Sequence, residues 1–138
     1  MSRIATLFAA CLLATPALAA TEQFHADMKG GTEVPANDSA GTGTVDATLD
    51  TATKSLDYTV TWSGLTGAAT MAHFHGPAAA GKNAGVAVPL GMSPVSPLHG
   101  TATLTDAQIA DLEGGLWYAN VHTAAHKGGE IRGQVVKK

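Results

Sequence analysis

Six histidines carry most of the chemistry that the sequence offers, and four of them lie in two close groups. His73 and His75 are two residues apart, and His122 is followed closely by His126. In a β-strand, residues two apart project from the same face, about 6.6 Å apart along the chain. Two imidazoles in that arrangement can bind one metal ion at a metal–nitrogen distance of about 2.0–2.1 Å. The His73/His75 pair therefore predicts two metal ligands from one strand.

A third ligand has to come from a neighbouring strand, and His122 is the best candidate. Alternation along its predicted strand puts Asn120 and His122 on one face, and Glu130 and Arg132 share a face of the last predicted strand. A hairpin through residues 124–129 would set Glu130 beside His122. The same register would set Arg132 beside Asn120. We therefore predict a polar network around the metal, in which the Glu130 carboxylate orients the second nitrogen of His122.

Two further side chains could extend this site. His126 lies in a Gly-rich loop and is a candidate fourth ligand. Met71 shares strand parity with His73 and could offer copper a soft thioether, although packing is the commoner role of methionine. His25 and His99 stand alone, and we expect each to be a surface or hydrogen-bonded side chain. For the paired histidines, the alternative to metal binding is a solvated pair or a hydrogen-bonded structural patch.

The composition excludes several other functions. The 138 residues are 45% hydrophobic and 14% charged, with 16 glycines, which fits neither a disordered chain nor a helical bundle. The formal net charge is −3 without a basic cluster, so nucleic acid and anionic membranes are not expected partners. The single cysteine, Cys11, excludes a disulfide framework and a cysteine-based zinc site. No nucleophile elbow or phosphate-binding loop occurs, so the sequence favours a binding protein over an enzyme.

The N-terminus has the pattern of a secretory signal peptide. Arg3 gives it a positive start, residues 4–14 form an almost unbroken apolar run, and Ala17-Leu18-Ala19 is a small-x-small cleavage site. The run is little over half of the ~20 residues that a spanning helix needs. We therefore predict a signal peptide over residues 1–19 and a single mature domain over residues 20–138, located in the periplasm or secreted.

The elements that must position the histidines are short strands. Period-2 alternation separated by Gly, Pro, Asn and Asp predicts a strand near Phe24 and further strands over residues 43–50, 55–63, 70–75, 85–90, 98–104, 116–123 and 130–136. Thr105 and Gln108 form a capping box that begins one short helix, which ends at Gly114-Gly115. We predict an all-β fold: an antiparallel, Greek-key-like β-sandwich or barrel of about seven to eight strands with one short helix.

Three motifs of the chain are Ala-His-Phe-His-Gly-Pro-Ala at 72–78, Tyr-Ala-Asn-Val-His-Thr at 118–123 and Gly-Glu-Ile-Arg-Gly-Gln-Val at 129–135. In this order they resemble the CHRD domain, a family named for its occurrence in chordin and widespread in secreted bacterial proteins. The resemblance extends over about residues 24–136 and implies an all-β extracytoplasmic domain. It also implies that His73, His75 and His122 are the metal candidates. His126 departs from the family pattern, and the family implies little about function.

These observations favour a periplasmic metal-binding protein for storage, buffering or resistance. Three or four imidazoles suit copper and zinc, and copper binds such sites more tightly. One alternative is a metalloenzyme of superoxide-dismutase-like redox type, in which Arg132 steers an anion to the metal. Another is a metal-free interaction module that uses sheet edges and the loop over residues 77–97. The expected partner is a metal ion. The sequence does not identify a protein partner and is compatible with a monomer or a homodimer.

Overall fold

A computed structural model describes residues 20–138, which form one eight-stranded sheet and one α-helix. The predicted signal peptide over residues 1–19 lies outside the described residues, and so does Cys11. In chain order the elements are β1 (Thr21–Lys29), a 3-10 turn (Gly30–Thr32), β2 (Thr42–Asp50), β3 (Ser55–Ser63), β4 (Ala69–His75), β5 (Val86–Met92), β6 (Leu98–Thr103), α1 (Asp106–Glu113), β7 (Trp117–Thr123) and β8 (Ile131–Lys137).

The sheet curls into a nearly closed barrel in which every pairing is antiparallel. Its strand order is β5-β4-β7-β8-β1-β2-β3-β6, so β5 and β6 lie at the two edges. The β3–β6 and β4–β7 pairings join strands that are not consecutive in the chain. The prediction of an all-β antiparallel fold of this size with one helix is confirmed.

One face of the sheet forms the hydrophobic core, and the alternation of the strands selects it. In β1, Phe24, Ala26 and Met28 are at most 2% exposed, while the residues between them point outward. Phe74 packs in the same way between Tyr58 and Trp117, with ring centroids 5.5 and 5.7 Å away. Each fully buried large apolar side chain contributes about 1.5–3 kcal/mol. The core is therefore assembled from residues other than the histidines.

The burial of Phe74 determines where its two neighbours point. Phe74 is 1% exposed, and the burial pattern of β4 alternates between buried and half-buried residues around it. Because successive side chains of a strand project to opposite faces, His73 and His75 both lie on the outer face of the barrel. The packing of one aromatic side chain thus presents two imidazoles on the same surface.

The predicted helix begins as expected. Thr105 Oγ1 accepts a hydrogen bond from the Gln108 backbone N–H, and Gln108 Oε1 accepts one from the Thr105 N–H. The Gln108 amide nitrogen also donates to the Ala87 carbonyl at 3.1 Å, which ties the helix to β5. The helix is followed by Gly115, whose φ of +68° favours glycine. Within residues 20–138, no helix is long and apolar enough to cross a membrane.

Candidate metal centre

The three predicted histidine ligands meet on the outer face of β4 and β7. These strands are neighbours, and their register pairs residues of that face as follows: Met71 with His122, His73 with Asn120 and His75 with Tyr118. His122 is therefore one row away from His73 along the neighbouring strand. Directly paired and diagonal side chains on one face of a sheet are within reach of each other.

The ligand atoms of His73, His75 and His122 lie within 4.8 Å of one another. His73 Nδ1 is 3.1 Å from His122 Nε2, and the ring centroids of those residues are 5.0 Å apart. Two nitrogens that bind one tetrahedral metal at the usual bond length are about 3.3 Å apart. Small side-chain rotations would therefore bring all three imidazoles to a single ion. His122 is 6% exposed, while the other two rings are half-buried.

Two of the rings are oriented by backbone carbonyls. His75 Nδ1 lies 3.0 Å from the Ala84 carbonyl oxygen, and His122 Nδ1 lies 2.9 Å from the Lys127 carbonyl oxygen. A carbonyl only accepts hydrogen bonds, so each Nδ1 carries a proton and donates it. In the neutral imidazole, the remaining Nε2 then has a free lone pair, which is the form that binds a metal.

The cluster also favours neutral imidazoles electrostatically. Burial lowers the pKa of His73, and the nearby His122 and His75 rings lower it further. Burial lowers the pKa of His122 as well. The hydrogen bond to the Lys127 carbonyl raises this pKa in part, and the nearby His75 ring lowers it further. The rings therefore stay unprotonated, and able to bind metal, at a lower pH than an ordinary histidine.

The structure does not bring Glu130 to His122, contrary to the expected contact. The Glu130 carboxylate accepts hydrogen bonds from Ser39 Oγ, from Thr66 N–H and Oγ1, and from Thr123 Oγ1. Glu130 precedes the first residue of β8, so the alternation that would align it with His122 does not extend to it. Burial alone would raise the pKa of Glu130, but these hydrogen bonds more than offset that effect and lower it to about 2.

Arg132 is close to the cluster but acts through an intervening ring. It pairs with Asn120 across β7 and β8, as expected. Its guanidinium lies 3.4 Å from the centre of the Tyr118 ring, and that ring stacks on His75 with centroids 4.8 Å apart and planes 2° apart. Arg132 also donates to Asn83 Oδ1 at 2.9 Å and is 2% exposed. It therefore fixes the rings beside the site and offers no free charge to solvent.

Asn120 lies in the middle of the cluster. Its Oδ1 is 2.9 Å from His122 Nε2 and 3.0 Å from His75 Nε2. The side chain is 3% exposed. The expectation that Asn120 belongs to the polar surroundings of the site agrees with this position.

Glu33 is a buried residue near the site that sequence reasoning did not single out. It is 6% exposed, and its Oε1 has no hydrogen-bond partner among the described residues. Burial raises its pKa to about 7, while the charge of Arg132, the backbone N–H of Val34 and the side chain of Asn120 act in the opposite direction. Its sequence neighbours give no sign of this, because Glu33 reaches the site from a loop far upstream. The one signal in the sequence is the position of Glu33, a carboxylate directly before an apolar Val-Pro pair.

The remaining histidines do not join the group. His126 is not part of the cluster of three; its backbone N–H donates to the Thr123 carbonyl, which holds the turn before β8. His25 contacts Asp46, and His99 Nδ1 lies 2.9 Å from Thr59 Oγ1. Within residues 20–138, only His73, His75 and His122 are grouped closely enough to hold one ion.

A curled antiparallel sheet with a histidine cluster on its outer face defines a small β-barrel protein with a candidate transition-metal centre. The CHRD domain family model matches residues 24–135, and the chain therefore belongs to the CHRD domain family. No curated protein and no solved structure matches the chain significantly.

Proposed function

We propose that this chain is an exported, periplasmic metal-binding protein that takes copper, with zinc as the second choice, and serves in metal handling or resistance. The observation that carries the proposal is the convergence of His73, His75 and His122, whose ligand atoms lie within 4.8 Å of one another. Two of these rings donate Nδ1–H to backbone carbonyls, the usual way in which metal-binding histidines are oriented.

The donor set supports copper over zinc. Imidazole nitrogens suit both ions, and a site of given geometry binds Cu(II) more tightly than Zn(II). Met71 lies opposite His122 on the same face, so a soft thioether is available on the same surface. Thioethers favour Cu(I) and add little for zinc.

A redox enzyme is the second candidate, and the surroundings of the cluster argue against one form of it. Steering a small anion to the metal would require a free cation at the mouth of the site. Arg132 is 2% exposed, and its guanidinium is bound to Asn83 and to the Lys82 carbonyl and stacked on Tyr118. Binding without turnover therefore agrees better with this arrangement.

Export is supported by the sequence of the first residues. Arg3, the apolar run over residues 4–14 and Ala17-Leu18-Ala19 are together typical of a cleaved signal peptide. N-terminal sequencing of the exported protein is expected to begin at Ala20. A chain that retained Met1 would contradict this part of the proposal.

The experiment that tests the function is metal analysis of protein purified from the periplasm of cells supplied with copper and zinc together. The expected result is about one equivalent of copper per chain, with zinc taking its place when copper is withheld. The matched control is the His73→Ala/His122→Ala double variant, which should be exported and folded without metal. Equal metal content in both proteins would overturn the proposed site.

A further inference from the structure

Around Asn120, three hydrogen-bond acceptors converge without a proton between them. Asn120 Oδ1 lies 2.9 Å from Nε2 of His122 and 3.0 Å from Nε2 of His75. In the neutral rings, both nitrogens hold lone pairs, because each ring donates its proton from Nδ1 to a backbone carbonyl. An amide oxygen also has only lone pairs to offer. Such a group of acceptors is mutually repulsive, and a cation among them would remove the repulsion.

Turning the Asn120 amide around would replace its oxygen with an N–H donor, but Glu33 opposes that orientation. The Asn120 amide nitrogen and Glu33 Oε1 both lie against Gly129, in the space that a β-carbon on that residue would fill. The φ of Gly129 is +127°, so the backbone there also favours glycine. In the reversed orientation, the Asn120 oxygen would face the Glu33 carboxylate. Two negatively polarised oxygens in a buried place repel each other strongly.

The Glu33 carboxylate is buried without hydrogen bonds to both of its oxygens. Among the described residues, its Oε1 has no hydrogen-bond partner, although the side chain is 6% exposed. A buried carboxylate is costly unless a nearby positive charge compensates it. Glu130 shows the contrast, because four hydrogen bonds from three residues satisfy its carboxylate. The charge of Arg132 offsets part of the cost of burying Glu33, and a cation bound beside Asn120 would add to that compensation.

We propose that Asn120 Oδ1 is a fourth ligand of the metal and that Glu33 is the positioning residue that holds the Asn120 oxygen toward it. This inference rests on the proposed function and adds to the histidines an oxygen donor and a buried negative charge. An amide oxygen is neutral, so the carboxylate of Glu33 partly balances a divalent ion from outside the ligand set. Three nitrogens and one oxygen suit Cu(II) or Zn(II) better than Cu(I).

The test measures metal affinity at pH 8. Cu(II) and Zn(II) are each titrated in competition with a chelator into the wild-type protein and into Asn120→Ala and Glu33→Gln. Loss of an outer partner of a metal ligand typically weakens binding by about 10–100-fold, so we expect a loss of that size for Glu33→Gln and a loss at least as large for Asn120→Ala. Their double variant should be little weaker than Asn120→Ala, because Glu33 acts through Asn120.

The matched control is Glu22→Gln. Glu22 also has a buried carboxylate oxygen without a hydrogen-bond partner, but it lies on β1 and pairs with Lys137. Its variant should bind both metals within twofold of the wild type. A second readout separates positioning from general damage to the fold. In metal-free protein at pH 8, Glu33→Gln should melt at the same temperature as the wild type or higher, because a buried charge has been removed.

Spectroscopy of the Cu(II) form reports on the ligand itself. Three imidazole nitrogens should couple to the copper electron spin in the wild type and in Asn120→Ala. In Asn120→Ala, a water molecule should occupy the vacated position and give deuterium couplings in heavy water that are weaker or absent in the wild type. Unchanged couplings would overturn the assignment of Asn120 as a ligand.

The outcomes separate this inference from the function on which it rests. A wild type that binds neither metal would overturn both. A wild type that binds tightly, with Asn120→Ala binding equally well, would overturn this inference and leave the histidine site intact. Weakened binding in Glu33→Gln accompanied by a matching fall in the metal-free melting temperature would reduce Glu33 to a structural residue and overturn its positioning role.

Discussion

A single histidine on β1 and the three-histidine cluster on β4 and β7 lie on the outer surface of the same sheet and have opposite electrostatic surroundings. On β1, His25 lies between two exposed carboxylates, with Nδ1 3.0 Å from Asp46 and Nε2 3.3 Å from Asp27. On β4 and β7, the ring nitrogens of His73 and His122 face each other at 3.1 Å. The pKa of His25 is raised, with the hydrogen bond that its ring donates to Asp46 as the main cause, and those of His73 and His122 are lowered by burial.

This difference teaches what a pair of strand histidines needs to become a metal site. A histidine whose two nitrogens both contact carboxylates is stabilised as a cation and offers no lone pair. A histidine that donates one nitrogen to a carbonyl keeps the other as a free acceptor. His122 has the second arrangement through the Lys127 carbonyl. The orienting group decides the chemistry, since both arrangements use strand histidines on the outer face of the sheet.

The largest expected effect is stabilisation by metal. If Cu(II) binds only the folded chain, free metal at a thousand times Kd stabilises it by about 4 kcal/mol. Thermal melts with and without Cu(II) should show this gain in the wild type and in His25→Ala, and should lose most of it in His75→Ala. Metal-free His75→Ala should still fold, because the hydrophobic core does not include this residue. If Cu(II) stabilised His25→Ala and His75→Ala by the same amount, and less than it stabilises the wild type, His25 and the cluster could not be distinguished as metal ligands.

The next largest effect is the contribution of two carboxylates, Glu130 and Asp46, to the free energy of unfolding. The folded-state pKa of Glu130 is about 2, against an ordinary value of 4.5. A lowered pKa contributes stability that is present above about pH 4.5 and is lost as the pH falls toward 2; this difference corresponds to at most about 3 kcal/mol. Glu130→Gln should therefore unfold at lower denaturant concentration at pH 7 and lose less of its stability on acidification. Asp46→Asn, which alters an exposed carboxylate beside His25, should change denaturant unfolding only slightly.

The pH dependence of the Cu(II) affinity is a smaller effect and reports on the histidine cluster. Protons compete with metal for imidazole, and the affinity falls by up to tenfold per pH unit for each ligand below its pKa. Because the pKa values of His73 and His122 are lowered from 6.5, Cu(II) affinity should be nearly constant down to about pH 6.5 and decline only below it. Titrations between pH 5 and 8 measure this. A decline that begins well above pH 6.5 would indicate ligands with ordinary or raised pKa values.

The His126 prediction can be settled in the same titrations. The ring of His126 is not grouped with the other three, and its backbone N–H holds the turn through Thr123. We therefore expect His126→Ala to bind Cu(II) within about threefold of the wild type, well below the loss typical of an outer partner of a metal ligand. A loss as large as that of His122→Ala would mean that the loop closes over the metal.

The parts of this arrangement that sequence could predict are those governed by local periodicity. Alternation is sufficient to place His73, His75 and His122 on one face, because each belongs to a strand. It failed for Glu130, which lies one residue before β8, where the period of two no longer applies. It had no access to Glu33, whose approach to Asn120 depends on the folding of a distant loop and on space left by Gly129. Periodicity predicts faces, whereas outer partners of ligands arise from tertiary packing.

The smallest expected effect is the pH dependence of stability at His25. Its pKa is raised from 6.5 by its two carboxylate neighbours, so its contribution is fully present below pH 6.5 and is lost as the pH rises through the raised value. The pair with Asp46 is largely exposed, and solvent-exposed pairs are worth about 0.2–1 kcal/mol. Metal-free wild type should therefore be slightly more stable, relative to His25→Ala, at pH 5.5 than at pH 8.5 in paired denaturant melts. His99→Ala, which removes a ring bound to Thr59 rather than to a carboxylate, serves as the control. A larger difference for His99→Ala than for His25→Ala would show that the carboxylates do not set the charge of the histidine on that side of the sheet.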